Sequence, residues 1–381
     1  MGLDLAFSES QQMLRKTAQD FMQRDASKEV VQRLQETDTG CTDELWRKAA
    51  DMGWLGIVIP EEYGGSGLDL ASAGVLYEVL GQGPLPGPYF SSAILGSQIV
   101  LEAASDEQKR SILPAVAGGE QVLALALTEP GYSWEPGGVA TTATGGNGDY
   151  VLDGLKLFVL DAMAATHLIV AAITGSAADP AGGISLFLVD RKASGVSVRR
   201  LPGFLLGRTF EVKLNSVKVP RSALLGELNQ GWPALQKAIA RAIPVLCAYK
   251  AGGAQALAES ALEYSRIRVQ FGMPIGRFQR VQDMIIEMVT QADSARWVTY
   301  ETLWKLDVGR AEPEDIHVAK AVASEAYFQT CTLAHQVFSG ISYSKEHPAS
   351  FHTRASRTLY GFLGDPAYHR QKIARLVTAG G

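Results

Sequence analysis

The order of apolar and polar positions divides the chain into three textures. Up to about residue 120, apolar residues recur at helical spacing. "QQMLRKTAQDFMQR" starts behind a Ser8–Gln11 capping pattern, with Phe7 placed to staple the turn. "TDELWRKAADMGWLG" has the same spacing and stops at glycine. "PEEYGGSGLD", 60–69, interrupts the pattern and reads as a loop. "DEQKRSILPAVAGGE" predicts a short helix broken at its proline. From about 121 the period shortens. "QVLALAL", "DYVLDGLKLFVL", "THLIVAAI", "GISLFLVD", "GVSVRRL" and "FEVKLNSVKVP" read as six short strands, broken at "GGNGD" and "DPAGG". No helix-length run separates them, so the spacing predicts an antiparallel barrel or sandwich rather than a parallel sheet. After "LLGELNQGW" the helical period returns over 228–265, 277–308, 313–340 and 349–378, the pattern of an antiparallel four-helix bundle. The expected fold is α+β: a helical domain over 1–120, a β domain over 121–227 and a helical bundle over 228–381.

Composition narrows the functional classes. A chain of 381 residues has length for two or three packed units. With 46% apolar and 20% charged residues it is ordinary for a globular protein, and a net charge of −5 argues against a dedicated nucleic-acid binder. Cys41, Cys247 and Cys331 are odd in number and far apart. That suits buried thiols in a reducing compartment better than a disulfide framework. The N-terminus lacks a basic-then-apolar leader, and Ala6 occupies the serine or threonine position that myristoylation of Gly2 requires. "THLIVAAI" is too short for a membrane span. The expected location is the cytoplasm.

The densest chemistry is "YSRIRVQFGMPIGRFQRVQ", 264–282. Arg266, Arg268, Arg277 and Arg280 flank a Phe-Gly-x-Pro-Ile turn, with Gln279 following. Arginines beside a helix end and a glycine turn hold a diphosphate through paired hydrogen bonds and backbone amides. A solvated basic helix face is the competing reading. The wording of this segment closely resembles the signature of the acyl-CoA dehydrogenase family. "PEEYGGSGLD", "ALTEPG" (126–131), "LDGLKLFV" (152–159), "FEVKLNSVKVPRSALLG" and "HQVFSGISYSKEHPASFHTR" resemble other family segments, in family order, from about residue 5 to 378. The resemblance implies an N-terminal α-helical domain, a middle antiparallel β-barrel and a C-terminal four-helix bundle, with FAD bound across a dimer interface. By position, Arg268, Gln270 and Phe271 would meet the diphosphate and adenosine side. Gln279 and Gln336, with Gly340 after it, would serve a neighbouring subunit's flavin. Thr128 would hydrogen-bond the isoalloxazine, and Phe158 would pack against it in place of the usual tryptophan.

The family reaction, oxidation of a CH–CH bond, takes an α-proton from an acyl thioester and delivers hydride to flavin. The resemblance places the carboxylate base at Leu363 or at about Ala242, and neither is an acid. The threonine near flavin N5 falls at about Leu160, and "YSWEPG", 132–137, replaces a glycine- and serine-rich run. Asp365, two positions past Leu363, is the remaining catalytic candidate; its alternative role is to cap the last helix ahead of Pro366. Asp161, near the flavin hairpin, is an alternative base, and Glu129 reads as structural. His369 and Arg370 read as surface or diphosphate-adjacent residues. The expectations are an acyl-CoA dehydrogenase-like oxidoreductase of fatty acid or steroid degradation acting on an unusual thioester, a bulky or ring-bearing one, or else the base-less partner subunit of a heteromeric enzyme or a flavoprotein of different chemistry. Expected partners are acyl-CoA, further copies or a paralogous subunit in a dimer or tetramer, and an electron-transferring flavoprotein.

Overall fold

The computed structural model describes residues 5–145, 148–175, 179–203 and 207–379. Gly2 and the middle of the "GGNGD" break lie outside the described residues. The first third is helical: α1 (Glu9–Arg24), α2 (Lys28–Gln35), α3 (Asp43–Asp51), α4 (Leu70–Gln82), a π-helical segment (Tyr89–Gly96), α5 (Ser97–Ala103) and α6 (Asp106–Ala117). The Ser8–Gln11 capping box forms, each residue's side chain bonding the other's backbone amide. α6 runs on through Pro114 rather than breaking there. The proline removes only its own amide and crowds the carbonyl four residues back, at Arg110, a local loss that the helix absorbs one turn from its end.

The β unit comprises β1 (Leu123–Ala126), β2 (Thr142–Gly145), β3 (Asp149–Leu160), β4 (His167–Ile173), β5 (Ile184–Asp190), β6 (Val196–Arg200) and β7 (Thr209–Pro220). They form one seven-stranded sheet in the order β1-β4-β2-β3-β7-β6, with β5 also on β4. Most pairs are antiparallel, as expected. The β1–β4 ladder is parallel, and so is the short β2–β4 contact. β2 and β3 lie between β1 and β4 in sequence, so the connection is a β-excursion where a parallel fold usually has a helix. The sheet wraps its own apolar core, with Ala124, Leu152, Leu168, Phe187 and Val212 inside. Leu123 and Leu125 point the other way, into the large core built by the helices. β1 is buried on both faces, hence its unbroken apolar run.

The last third contains α7 (Gly231–Ile267), a hairpin of β8 (Val269–Gln270) and β9 (Met273–Pro274), α8 (Gln279–Asp307), α9 (Pro313–Phe338), α10 (Pro348–Tyr360) and α11 (Pro366–Ala379). Where one fourth helix was expected over 349–378, two form. Leu363 and Gly364 have φ of +59° and +94°, which no helix accommodates, and Pro366 then restarts the chain at a first helical position. α7 is buried on all sides from Ala242 to Ala254. It meets α4 closely because a Cβ on Gly81 or Gly252 would strike a carbonyl of the facing helix. No described helix is long and apolar enough to cross a membrane.

Candidate active site

The β8–β9 hairpin turns through Phe271 and Gly272, with φ of +53° and +82°. Positive φ at a phenylalanine is strained, and here the ring gains no burial in return: Phe271 is 88% exposed. Val269, Ile267, Ile341 and Tyr343 nearby are also more than half exposed. Arg268, Gln270 and Gly340 line one cleft with Tyr264, Ile275 and Phe338. The Arg268 backbone is tied down, its N donating to Tyr264 O at 2.9 Å and its O accepting from Ile275 N at 2.8 Å. Its guanidinium and the Gln270 amide reach open space, with no acceptor among the described residues. A Cβ on Gly340 would meet nothing within 4 Å. Fixed backbone, free donors and open space fit the diphosphate and adenosine end of FAD. Gln336 lines an adjoining cleft with His335 and Arg357, and Gln279 is exposed at the start of α8.

Thr128 and Phe158 lie apart from this group, on the β unit. Phe158 has φ +56° and sits in a register shift between β3 and β7. It is half-buried and edge-on to Tyr132, with ring centroids 5.2 Å apart. The Thr128 hydroxyl donates to Leu157 O at 2.5 Å, so toward a ligand it is left as an acceptor. The loop carrying Thr128 is locked from below. Glu129 accepts from Thr141 N at 2.9 Å, Ala140 N at 2.9 Å and Lys156 Nζ at 2.7 Å. Burial pushes the Lys156 ammonium down to about 8. Burial opposes ionisation of Glu129, but Lys156 and the Thr141 bonds outweigh it and lower its pKa. The pair is structural.

Leu363 and Ile243 line one further cleft with Ile239, Trp134, His317 and His369. The resemblance puts a base at Leu363 or at about Ala242; Leu363 and Ile243, the neighbour of Ala242, face one cleft, and neither Leu363 nor Ala242 supplies a carboxylate. Trp134 Nε1 is buried here without an acceptor. Asp365 Oδ1 accepts from Tyr368 N at 2.7 Å, the cap bond of α11. The rest of the turn is also committed. Lys320 Nζ donates to Gly364 O at 2.6 Å and to Ser324 Oγ at 3.2 Å, and Lys250 Nζ donates to Ser324 Oγ at 2.7 Å. Burial lowers both lysines, Lys320 to about 8. His369 is buried rather than on the surface. Its Nε2 lies 2.9 Å from Leu363 O, its Nδ1 lies 2.9 Å from His317 Nδ1, and burial pushes its pKa down to about 3. Arg370 is exposed, 3.8 Å from Glu325. Neither the lysine pair nor the histidine pair was legible in the sequence.

Asp161 is buried, accepting from Ser91 Oγ at 2.9 Å and Arg208 Nε at 3.2 Å. With both oxygens held, it is a poor base candidate. It lines a cleft beside Phe90, Leu246 and Leu359. Phe90 and Trp134 pack edge-on to Phe362, at 6.2 and 5.9 Å, so Phe362 stands between this cleft and the one at Leu363.

Three family models match the chain: the acyl-CoA dehydrogenase N-terminal domain over 8–120, the middle domain over 124–210 and the C-terminal domain over 229–378. A 3-(aryl)acrylate reductase of Clostridium sporogenes is 33% identical, covering 97% of this chain and 98% of its own. The CarC subunit of the caffeyl-CoA reductase–Etf complex of Acetobacterium woodii is 31% identical, covering 97% and 99%. The structure of PigA with FAD and proline superposes with a TM-score of 0.89 at 28% identity, covering all of both chains. Members of the matched family are FAD-dependent oxidoreductases acting on CH–CH bonds. From the helical first third to α11, the chain belongs to the acyl-CoA dehydrogenase family.

Proposed function

We propose that the protein catalyses FAD-dependent α,β-dehydrogenation of an acyl-CoA thioester with a bulky or ring-bearing acyl group. The observation that carries the reading is the cleft of Arg268, Gln270 and Gly340, whose donors are held in place yet unspent. Arg268 and Gln270 would donate to the diphosphate and adenosine side of FAD. Phe271 would meet the same side of the cofactor, Gln279 and Gln336 would serve a neighbouring subunit's flavin, and the exposed apolar hairpin supports assembly into a dimer or tetramer. Phe158 would pack against the ring system, and Thr128 would accept from it. When bound, FAD supplies the hydride acceptor. The chain's own tasks are to seat the thioester between α7 and the α10–α11 turn, keep water from the reacting carbons and accept the α-proton. The relatives that reduce arylacrylates or form a complex with Etf support an aromatic or alicyclic acyl group and an electron-transferring flavoprotein as electron partner. A cytoplasmic location accompanies this reading.

One observation favours a second reading. Asp365 is engaged as a helix cap and no acid occupies Leu363 or Ala242. On that reading the chain is the base-less subunit of a heteromeric dehydrogenase. The test is reduction of an artificial acceptor with straight-chain and ring-bearing acyl-CoAs, by the chain alone and after co-expression with a paralogue. Turnover by the chain alone, faster on ring-bearing thioesters, supports the first reading. Turnover that appears only with the paralogue supports the second, and a flavin-free protein refutes both.

A further inference from the structure

The cleft behind Phe362 has a polar end that the dehydrogenation itself does not use. Most of its wall is apolar, including Leu80, Phe90, Leu246 and Leu359, around a cavity of about 80 Å³. The tyrosine hydroxyls in the wall are spent on the protein. Tyr77 donates to Tyr89 O at 2.7 Å, Tyr249 donates to Leu85 O at 3.3 Å, and Tyr89 pairs with Cys41 Sγ at 3.2 Å. Two buried polar side chains in the wall are not fully spent. Arg208 is only 8% exposed and gives Nε to Asp161, but its two terminal nitrogens meet no acceptor among the described residues. Gln35, 5% exposed, likewise has no partner for its side-chain amide. Arg208 is held in place from two sides, by Asp161 and by Gly40, where a Cβ would collide with the guanidinium. Ser91, which fixes the other Asp161 oxygen, projects from the π-helical segment Tyr89–Gly96. Such segments are rare and concentrate at functional sites.

Donors that meet no protein acceptor and open on a cleft are available to an acceptor that a ligand brings. The charge balance says which kind. Arg208 is matched by Asp161, and Arg354, also in the wall, is matched by Glu36 at 3.0 Å. A carboxylate entering here would be a surplus anion in an apolar cleft. We infer that this cleft selects acyl thioesters whose distal apolar moiety carries an uncharged oxygen, a ring ketone or hydroxyl, received by Arg208 and Gln35. The inference rests on the acyl-CoA reading above and names the substrate class within it.

The experiment compares equilibrium binding of cyclohexanecarbonyl-CoA, its ring-ketone analogue and glutaryl-CoA to the FAD-loaded protein. The variant for comparison is Asp161→Asn/Arg208→Gln, which removes both charges together and leaves neither one buried alone. Wild type should bind the ketone at least about tenfold tighter than the plain ring thioester, the worth of about one hydrogen bond to a charged group. The variant should lose that preference and keep its affinity for the plain ring. Equal affinities in wild type, or tightest binding of glutaryl-CoA, would overturn the inference and leave the acyl-CoA reading intact. Failure of all three thioesters to bind would overturn both. The wild-type comparison decides even if the variant does not fold.

Discussion

The β8–β9 hairpin and the turn between α10 and α11 are both short, both strained by a non-glycine residue at positive φ, and both lie where the family places cofactor or catalytic groups. They differ in how their polar atoms are used. At the hairpin, Arg268 and Gln270 have anchored backbones and unspent side chains. At the turn, Asp365 holds the Tyr368 amide, Gly364 O takes the Lys320 ammonium, and Leu363 O is paired with His369. A ligand site leaves donors waiting, whereas a structural turn satisfies them internally. On this criterion the hairpin has the character of a ligand edge and the turn that of a structural element.

The largest expected effect comes from placing a carboxylate in the turn. In the purified flavin-loaded homomer, Leu363→Glu should raise turnover on a ring-bearing acyl-CoA by about 10²–10⁴, the usual worth of a general base. Burial at Leu363, 2% exposed, would raise the new carboxyl's pKa toward the working range. An unchanged rate would mean that a missing base is not what limits the homomer. Next, Arg268→Ala should weaken FAD binding by about tenfold or more, since a charge-assisted bond is worth about 1.5–3 kcal/mol, while the melting temperature of the flavin-free protein stays put. Full FAD stoichiometry in that variant at limiting flavin would break the contrast.

Acid should act on the turn. In the fold, burial holds His369 near a pKa of about 3, below its ordinary value of 6.5. Between those values the unfolded chain binds more protons, so stability falls as pH drops below 6.5, by about 2 kcal/mol at pH 5 from this residue. Denaturant titrations at pH 7 and pH 5 should show the loss, and His369→Asn should reduce it. His352, also lowered to about 3 by burial, adds a second loss of the same sign. The smallest effect is expected at Asp365. Asp365→Ala should cost about 0.5–2 kcal/mol of stability through the lost cap, and Asp365→Asn should leave turnover nearly unchanged. Turnover that collapses in the asparagine variant at constant melting temperature would make Asp365 the base after all.

What was legible in the sequence was local. The hairpin residues lie in one continuous segment, so their chemistry could be read from spacing. The Ser8–Gln11 box and the run of β1 are local in the same sense. β2, "TATG", was missed because Ala143 is its one buried residue and the others face solvent, leaving no apolar alternation. The split between α10 and α11 was visible in Gly361, Gly364 and Pro366, but the apolar period ran across them and masked it. The polar networks were not legible at all. Ser91, Asp161 and Arg208 come from three distant segments, as do Lys250, Lys320 and Gly364, and nothing in a linear reading brings them together.

The two-faced burial of β1 has a consequence for how the molecule assembles. Its alanines complete one core and its leucines complete another, so neither core closes until the strand is in place. Its parallel partner β4 arrives some forty residues later in synthesis, at a loop-closure cost that antiparallel neighbours avoid. Cut free of the helices, the β unit would keep its inner core but present Leu123, Leu125 and Leu127 to water and tend to aggregate. Helical and β portions should melt in one cooperative transition.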